Sequence, residues 1–288
     1  MHHDKIMTQG TSQTVQFTKA QALGNDFIIG TNLSRFNKDQ LVQLASRRLG
    51  VGCDQIISIE DVSIENAAFV IHFYNSDGSW AGACGNGSRA VAGYYAQETG
   101  KTEFTFAVAN KEGGHALIDV VMTGAQECRL SMPSPTFDAE SIPLKSKDIQ
   151  SDNIVLNILP QYEGKALSVG NPHIVYIVEN AENIPLEQYG PKIENHDIFP
   201  ERTNVEFIHI TDRENIRMRV WERGVGITQA CGTGACAVAI TAITKGLTED
   251  TVNIHMDGGV LQISYSPSER SLFMQGGYNL VYHGEISL

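Results

Sequence analysis

Two cysteines, Cys84 and Cys231, each sit in a glycine-rich turn that reads as the start of a helix. The first stretch runs Asn75-Ser76-Asp77-Gly78-Ser79-Trp80-Ala81-Gly82-Ala83-Cys84-Gly85-Asn86-Gly87. The second runs Trp221-Glu222-Arg223-Gly224-Val225-Gly226-Ile227-Thr228-Gln229-Ala230-Cys231-Gly232-Thr233-Gly234. A helix N-terminus carries free backbone N–H groups and the positive end of the helix dipole, so it binds an anion and lowers the pKa of a thiol placed there. A thiol lowered from ~8.5 is poised near neutral pH to act as base or as acid. Two such thiols flanking one pocket suit removal of a proton from one face of a carbon and its return to the other. The backbone N–H groups of Gly85-Asn86 and Gly232-Thr233 would hold the substrate carboxylate and the charge that spreads onto it.

Other polar residues carry less by themselves. Asn25, Asn75, Asn171 and Asn204 are of a type that ligates an amino acid's ammonium or carboxylate, yet asparagine is most often a turn residue. Glu222-Arg223 reads as a solvated pair, although next to the second cysteine turn an arginine fork suits carboxylate recognition. His173 alone is an unremarkable polar residue. Cys53, Cys128 and Cys236 have no activating neighbour and read as small buried hydrophobes. The five cysteines form neither an even disulfide framework nor a C-x-x-C pair, which indicates a reducing compartment. A Cys84–Cys231 disulfide would be an oxidised, inactive form. No phosphate-binding G-x-x-x-x-G-K-[ST] occurs, no G-x-G-x-x-G follows the first strand, and no set of cysteines and histidines is spaced for zinc.

The elements that must position these residues come in two series. Ser88 to Ala96 and Ala235 to Ile243 are free of charge apart from Arg89, and each run is stopped by a glycine, Gly100 or Gly246. Helices apolar all round belong inside protein, and these are too short to cross a bilayer. The cysteines are offset by 231 − 84 = 147 residues and the Gly-Asn pairs at Asn25 and Asn171 by 171 − 25 = 146. Two landmarks at one offset imply a duplicated fold. Apolar alternation marks strands at Val15–Lys19, Phe27–Gly30, Ile56–Glu60, Ala68–Tyr74, Glu103–Ala109, Ala116–Thr123 and Glu127–Met132, with a capped helix over Lys38–Leu49. After the Pro133-Ser134-Pro135 junction come strands at Lys165–Val169, His173–Val178, Val205–Ile210 and Asn215–Trp221, and a helix near Leu186–Ile193.

The expectation is an α+β chain of two pseudo-symmetric domains, 15–132 and 133–277, each a curved, largely antiparallel sheet wrapped around a central buried helix. A last strand in 278–288 is expected to complete the first domain, and residues 1–14 read as a disordered extension without a signal's apolar stretch. With 21 basic and 33 acidic residues the net charge is −12, which argues against nucleic-acid or anionic-membrane surfaces and requires any bound anion to be held by local groups.

Taken together, the motifs resemble those of the diaminopimelate epimerases. The matching residues are Leu23-Gly24-Asn25-Asp26-Phe27, Gly50-Val51-Gly52-Cys53-Asp54-Gln55, Asn75-Ser76-Asp77-Gly78-Ser79, Cys84-Gly85-Asn86-Gly87-Ser88-Arg89, Gly170-Asn171-Pro172-His173, Thr203-Asn204-Val205-Glu206-Phe207, Glu222-Arg223-Gly224-Val225-Gly226 and Cys231-Gly232-Thr233-Gly234. The resemblance implies cofactor-independent interconversion of LL- and meso-diaminopimelate in lysine and cell-wall precursor synthesis, with Cys84 and Cys231 as the acid–base pair assisted by His173 and Glu222. It further implies substrate binding by Asn25, Gln55, Asn75, Asn171, Asn204, Glu222 and Arg223, with Gly85, Asn86, Gly232 and Thr233 receiving the reacting carboxylate. No metal or cofactor is implied, and a cytoplasmic homodimer is. Ala20 and Ala22 stand where the family often has Met and Gly, and Trp80 where an acidic residue is usual; lying in the loop before Cys84, Trp80 is placed to affect loop closure or the distal end of the pocket. Racemisation of another amino acid such as histidine, or a thiol redox switch, are the alternatives.

Overall fold

The computed structural model describes residues 13–111 and 113–288. The extension predicted for 1–14 therefore lies outside the described residues up to position 12, and Thr14 already begins a strand. The first half comprises β1 (Thr14–Ala22), β2 (Asn25–Thr31), α1 (Lys38–Ala45), β3 (Gln55–Glu60), β4 (Val70–Asn75), β5 (Trp80–Ala81), α2 (Gly85–Thr99), β6 (Glu103–Ala109), β7 (His115–Gly124) and β8 (Glu127–Met132). The second comprises β9 (Ile154–Val155), β10 (Glu163–Ser168), β11 (Pro172–Ile177), α3 (Leu186–Glu194), β12 (Asn204–Asp212), β13 (Asn215–Glu222), β14 (Gly226–Ile227), α4 (Gly232–Thr244), β15 (Thr251–Met256), β16 (Gly259–Ser266) and β17 (Ser271–Gly277). β18 (Asn279–Ser287) follows.

In the first half β1–β2 is antiparallel, β2–β3 parallel, β3–β4 antiparallel, β4–β6 parallel, and β6–β7–β8 antiparallel. The second half repeats each orientation through β10, β11, β12, β13, β15, β16 and β17. β8 pairs with β17 and joins the halves. β18 runs antiparallel to β1 from Thr14↔Ser287 to Gln21↔Asn279, a place taken in the other half by the short β9 beside β10. The chain is thus an α+β fold of two pseudo-symmetric domains, largely antiparallel, each wrapped around one helix.

That helix is α2 in one half and α4 in the other. Residues 234–243 of α4 are all buried and carry no charge, and α2 buries Asn86 to Gly93. Small side chains, chiefly alanine and glycine, let the surrounding strands close in. One continuous core contains both helices together with inward-facing residues of both sheets, such as Phe73, Phe106, Met218 and Ile263. At about 1.5–3 kcal/mol per large apolar side chain, this burial is what holds the two helix starts in register with each other.

Two local departures from the sequence-based expectation have physical causes. Helix α1 stops at Ala45 rather than Leu49, because the N–H groups of Val51, Gly52 and Cys53 turn back to take the carbonyls of Leu44 and Ala45. Its predicted N-cap at Asn37 stands, with a capping box to Gln40. Strands β15, β16 and β17 occupy residues 251–277, where no strand was assigned; they alternate inward Val252, Ile254, Met256, then Leu261, Ile263, Tyr265.

Candidate active site

Cys84 and Cys231 are the N-cap residues of α2 and α4, with nearly identical backbone angles (φ −125°, ψ 112° and φ −127°, ψ 114°). Each sulfur accepts a hydrogen bond from the third residue of its helix, Gly87 N–H at 3.5 Å and Gly234 N–H at 3.4 Å. The two helix starts abut. A Cβ added to Gly85 would fall 3.7 Å from Gly232 Cα, and one added to Gly232 would fall 3.5 Å from Gly85 Cα. Glycine at both positions lets the two N-termini point into one space. That space is a cavity of about 690 Å³ lined by both thiols, by Gly85-Asn86 and Gly232-Thr233, and by residues of both halves.

Each thiol begins a chain of hydrogen bonds, and the two chains differ. Cys84 Sγ contacts Asn25 Oδ1 at 3.6 Å, and Asn25 Nδ2 donates to Asp54 Oδ2 at 2.9 Å. Asp54 in turn meets Arg47 (2.9 Å), which forks onto Asp26 (2.8 and 2.7 Å), and Asp26 also pairs with Lys19 (2.6 Å). Although burial opposes it, the hydrogen bonds from Arg47 and Lys19 hold Asp26 well below the usual carboxylate range.

In the second half Cys231 Sγ lies 3.6 Å from Thr233 Oγ1, which accepts from Asn171 Nδ2 at 3.3 Å. Asn171 Oδ1 meets His173 Nε2 at 3.0 Å, and His173 Nδ1 meets Glu206 Oε1 at 2.7 Å. His173 and Glu206 are both fully buried, and the second oxygen of Glu206 has no partner. Both ring nitrogens of His173 thus face side-chain oxygens, one of Asn171 and one of Glu206. Glu222, on the β13 end, hydrogen-bonds Thr228 and reaches Cys231.

Burial dominates the acidity of both thiols. It pushes Cys84 up to about 11, with the charge of Glu222 adding to the shift and the Gly87 N–H and the charge of Arg89 opposing it. It pushes Cys231 well above the usual thiol value, reinforced by Glu222 and Glu206 and opposed by Thr233 and the Gly234 N–H. The sequence-based expectation that a helix start would bring these thiols near neutrality is therefore corrected. The helix N–H groups act in the expected direction, but desolvation and neighbouring carboxylates outweigh them. Burial also raises Glu222, against hydrogen bonds from Thr228 and Cys231.

Of the residues singled out from sequence, Asn25, Gln55, Asn75, Cys84, Gly85, Asn86, Asn171, Glu222, Cys231, Gly232 and Thr233 all line the cavity. Three are not in its lining. His173 is fully buried behind Asn171, and Asn204 is tied up between Pro172 O (2.8 Å) and the Arg223 N–H (2.9 Å). Arg223 lies in the turn between the lining residues Glu222 and Val225, its guanidinium on the Glu201 carbonyl at 3.1 Å. Trp80 is not in the site at all. It packs on His72 (ring centroids 4.7 Å) and Tyr74 (5.8 Å) and borders a separate surface pocket, because β5 turns its side chain to the far side of β4.

Asp54, Thr228 and Glu206 join the site without having been singled out. The adjacency of Asp54 to Gln55, and of Glu206 to Asn204 two places along a strand, carried that information. The lining holds three carboxylates, Asp54, Asp77 and Glu222, and no lysine or arginine. Among the described residues no cluster of His, Cys, Asp or Glu could hold a metal, and no helix is long and apolar enough to cross a membrane.

Comparison with known proteins bears on both fold and family. Among solved structures, the chain superposes on a hydroxyproline epimerase from Agrobacterium vitis (TM-score 0.67, 12% identity, 96% of this chain and 93% of that one). It superposes also on a phenazine biosynthesis protein of the PhzF family from Bacillus anthracis (TM-score 0.65, 13% identity, 96% and 100%). At these identities the likeness is one of fold. In sequence, the chain is 37% identical over 283 residues to the diaminopimelate epimerase of Ectopseudomonas mendocina, covering 95% of this chain and 99% of that protein. It is 36% identical over 285 residues to that of Caulobacter vibrioides, covering 94% and 96%. Residues 17–137 and 165–281 match the family described as diaminopimelate epimerase. With two helix-capping thiols facing one cavity and this likeness along nearly its whole length, the chain belongs to the diaminopimelate epimerase family.

Proposed function

We propose that this chain is an isomerase that interconverts LL- and meso-2,6-diaminopimelate with Cys84 and Cys231 as its two proton carriers. The observation that carries the reading is the abutment of two cysteine-capped helix starts on one cavity. The reacting carboxylate sits against the N–H groups of Gly85-Asn86 and Gly232-Thr233, and its α-carbon lies between the two sulfurs. One cysteine, as thiolate, takes the α-proton. The charge released spreads onto the carboxylate, where the helix starts stabilise it, and the opposite thiol delivers a proton to the other face.

At the end of a turnover the two thiols have exchanged protonation states. Glu222, raised by burial and in reach of Cys231, would return the proton, while His173 holds Asn171, and through it Thr233, in position beside Cys231. The carboxylates of the lining suit the two ammonium groups of the substrate, and Asn25, Gln55, Asn75 and Asn171 supply neutral ligands. The second carboxylate is assigned to the mouth beside Asn204 and Arg223, whose guanidinium must leave Glu201 to meet it. A cytoplasmic homodimer in lysine and cell-wall precursor synthesis belongs to the same proposal, supported by five free cysteines for the compartment.

The test is incorporation of solvent deuterium at the α-carbon across a panel of amino acids. Exchange into diaminopimelate and not lysine is expected, and equal exchange into both would refute the second-carboxylate argument. Arg223→Lys keeps the charge and loses the fork, and is expected to lower kcat/KM for diaminopimelate by roughly tenfold or more.

A further inference from the structure

Arg89 is the one charge on two otherwise uncharged buried helix runs, and nothing in the proton-transfer scheme uses it. Its side chain is fully buried and reaches back to the start of α2. Nη2 donates to Asn86 Oδ1 at 2.8 Å, Nη1 to the Gly85 carbonyl at 3.3 Å, and Nε to the Gly277 carbonyl at 3.3 Å. Nη1 also meets Met274 Sδ at 3.5 Å. The same thioether lies against both helix starts, 2.7 Å from a Cβ added to Gly85 (through its Cε) and 3.2 Å from one added to Gly232.

Every partner is neutral. A fully buried arginine is normally paired with a carboxylate, since an unpaired charge in the interior is costly. Burial does lower the Arg89 pKa, to about 10, which leaves the guanidinium protonated at neutral pH. The duplication offers a control: the residue at the same offset from Cys231 is Cys236, since 89 − 84 = 236 − 231, so the cation has no counterpart in the second half. The cavity in front of the helix starts has three carboxylates and no cation, in a chain of net charge −12.

We propose that Arg89 is a positioning residue whose buried guanidinium supplies, from behind the two helix starts, the countercharge for the reacting carboxylate, and whose bonds to the Gly85 carbonyl and Asn86 Oδ1 hold that helix start in place. This rests on the assignment of the carboxylate to the helix starts made above. It touches no reacting atom. Its effect is greatest when proton removal has driven a second negative charge toward the carboxylate, and therefore falls on kcat more than on KM.

The experiment compares wild type with Arg89→Met and Arg89→Lys. Replacing an unpaired buried cation by an apolar chain of similar length is compatible with folding, so melting temperature is measured alongside. Arg89→Met is expected to fold, to lose roughly 100-fold or more in kcat with KM changed less than tenfold, and to shift the pH profile of Cys84 alkylation by iodoacetamide to higher pH. Arg89→Lys is expected to recover part of both. A folded Arg89→Met with wild-type kcat and an unmoved Cys84 profile would overturn the proposal. So would equal loss of activity and melting temperature in Met and Lys variants, which marks a packing role. If wild type fails to turn over diaminopimelate at all, the substrate reading falls, and the Cys84 alkylation profile still decides whether Arg89 acts on this helix start.

Discussion

The first half packs Phe73, Ile57 and Phe27 against Gly87, one turn into its helix, whereas the second packs Met218 and Glu206 against Gly234 and puts His173 where the first has Phe27. The strand pairings repeat in order and the two N-cap cysteines have nearly the same backbone angles, yet one thiol rests on an apolar floor and the other beside the buried His173–Glu206 pair. Cys84 connects through Asn25 to a solvent-side cluster of Asp54, Arg47, Asp26 and Lys19, while Cys231 connects inward to Glu206. In the proposed scheme the duplicated fold sets where the two protons are handled, and the unequal supports set how each carrier is recharged. Symmetric chemistry on a carbon does not require symmetric surroundings.

The largest expected effect tests what the halves share. Cys84→Ala and Cys231→Ala should each lower epimerisation by roughly 10³-fold or more, about 4 kcal/mol of barrier, read by chiral chromatography of the product mixture. Substantial turnover by either variant would mean that one thiol suffices. Next comes what they do not share. Making the second half like the first, in the double variant His173→Phe with Glu206→Ile, should cost roughly 100-fold in kcat and leave stability unchanged or higher, since replacing both partners of a buried hydrogen bond by apolar groups is often nearly neutral. Phe27→Leu, at the matching place, should leave kcat near wild type and cost about 1 kcal/mol in urea unfolding.

A smaller effect concerns pH. The thiols of Cys53, Cys128 and Cys236 are pushed by burial to about 12 and Cys84 to about 11, all above the ordinary 9.0. A thiol whose folded pKa is raised holds its proton better in the folded state, so its contribution is complete below pH 9 and is lost as pH climbs toward 11 or 12. The melting temperature should fall across that window, and kcat/KM should climb with pH from neutrality toward about 11, as far as the fold persists, as the Cys84 thiolate forms. Smallest of all, Cys128→Ala and Cys236→Ala should keep wild-type kcat and lose about 1 kcal/mol each to packing.

Much of this was legible in the sequence for identifiable reasons. The glycine turns, the uncharged runs after each cysteine and the equal offsets near 147 residues reported the duplication, because each needs only local chemistry repeated at a distance. The alternation of Val252, Ile254 and Met256 is as regular as in any assigned strand, so β15 to β17 were written in the same code. What sequence could not supply was direction. Trp80 follows the Asp-Gly-Ser turn and is expected from sequence to affect loop closure or the distal end of the pocket, yet a two-residue strand turns it onto His72 and Tyr74. His173 looked ordinary because its partner, Glu206, lies on the neighbouring parallel strand, 33 residues on. The thiol acidity went the other way from the helix-start rule because burial is a property of the whole fold.

The pairing of β18 with β1 reaches into how the protein is made. Thr18 and His283, joined by a side-chain hydrogen bond of 2.8 Å, are 265 residues apart, whereas in the second half Ile154 meets Gly164 after only 164 − 154 = 10 residues. At roughly 5–20 residues per second, β1 leaves the ribosome about 15 to 50 s before its outer partner exists. For that interval its outer edge is an open template for other strands, and it carries the polar Gln16, Thr18 and Lys19. The half of the sheet that is translated first is the half that closes last.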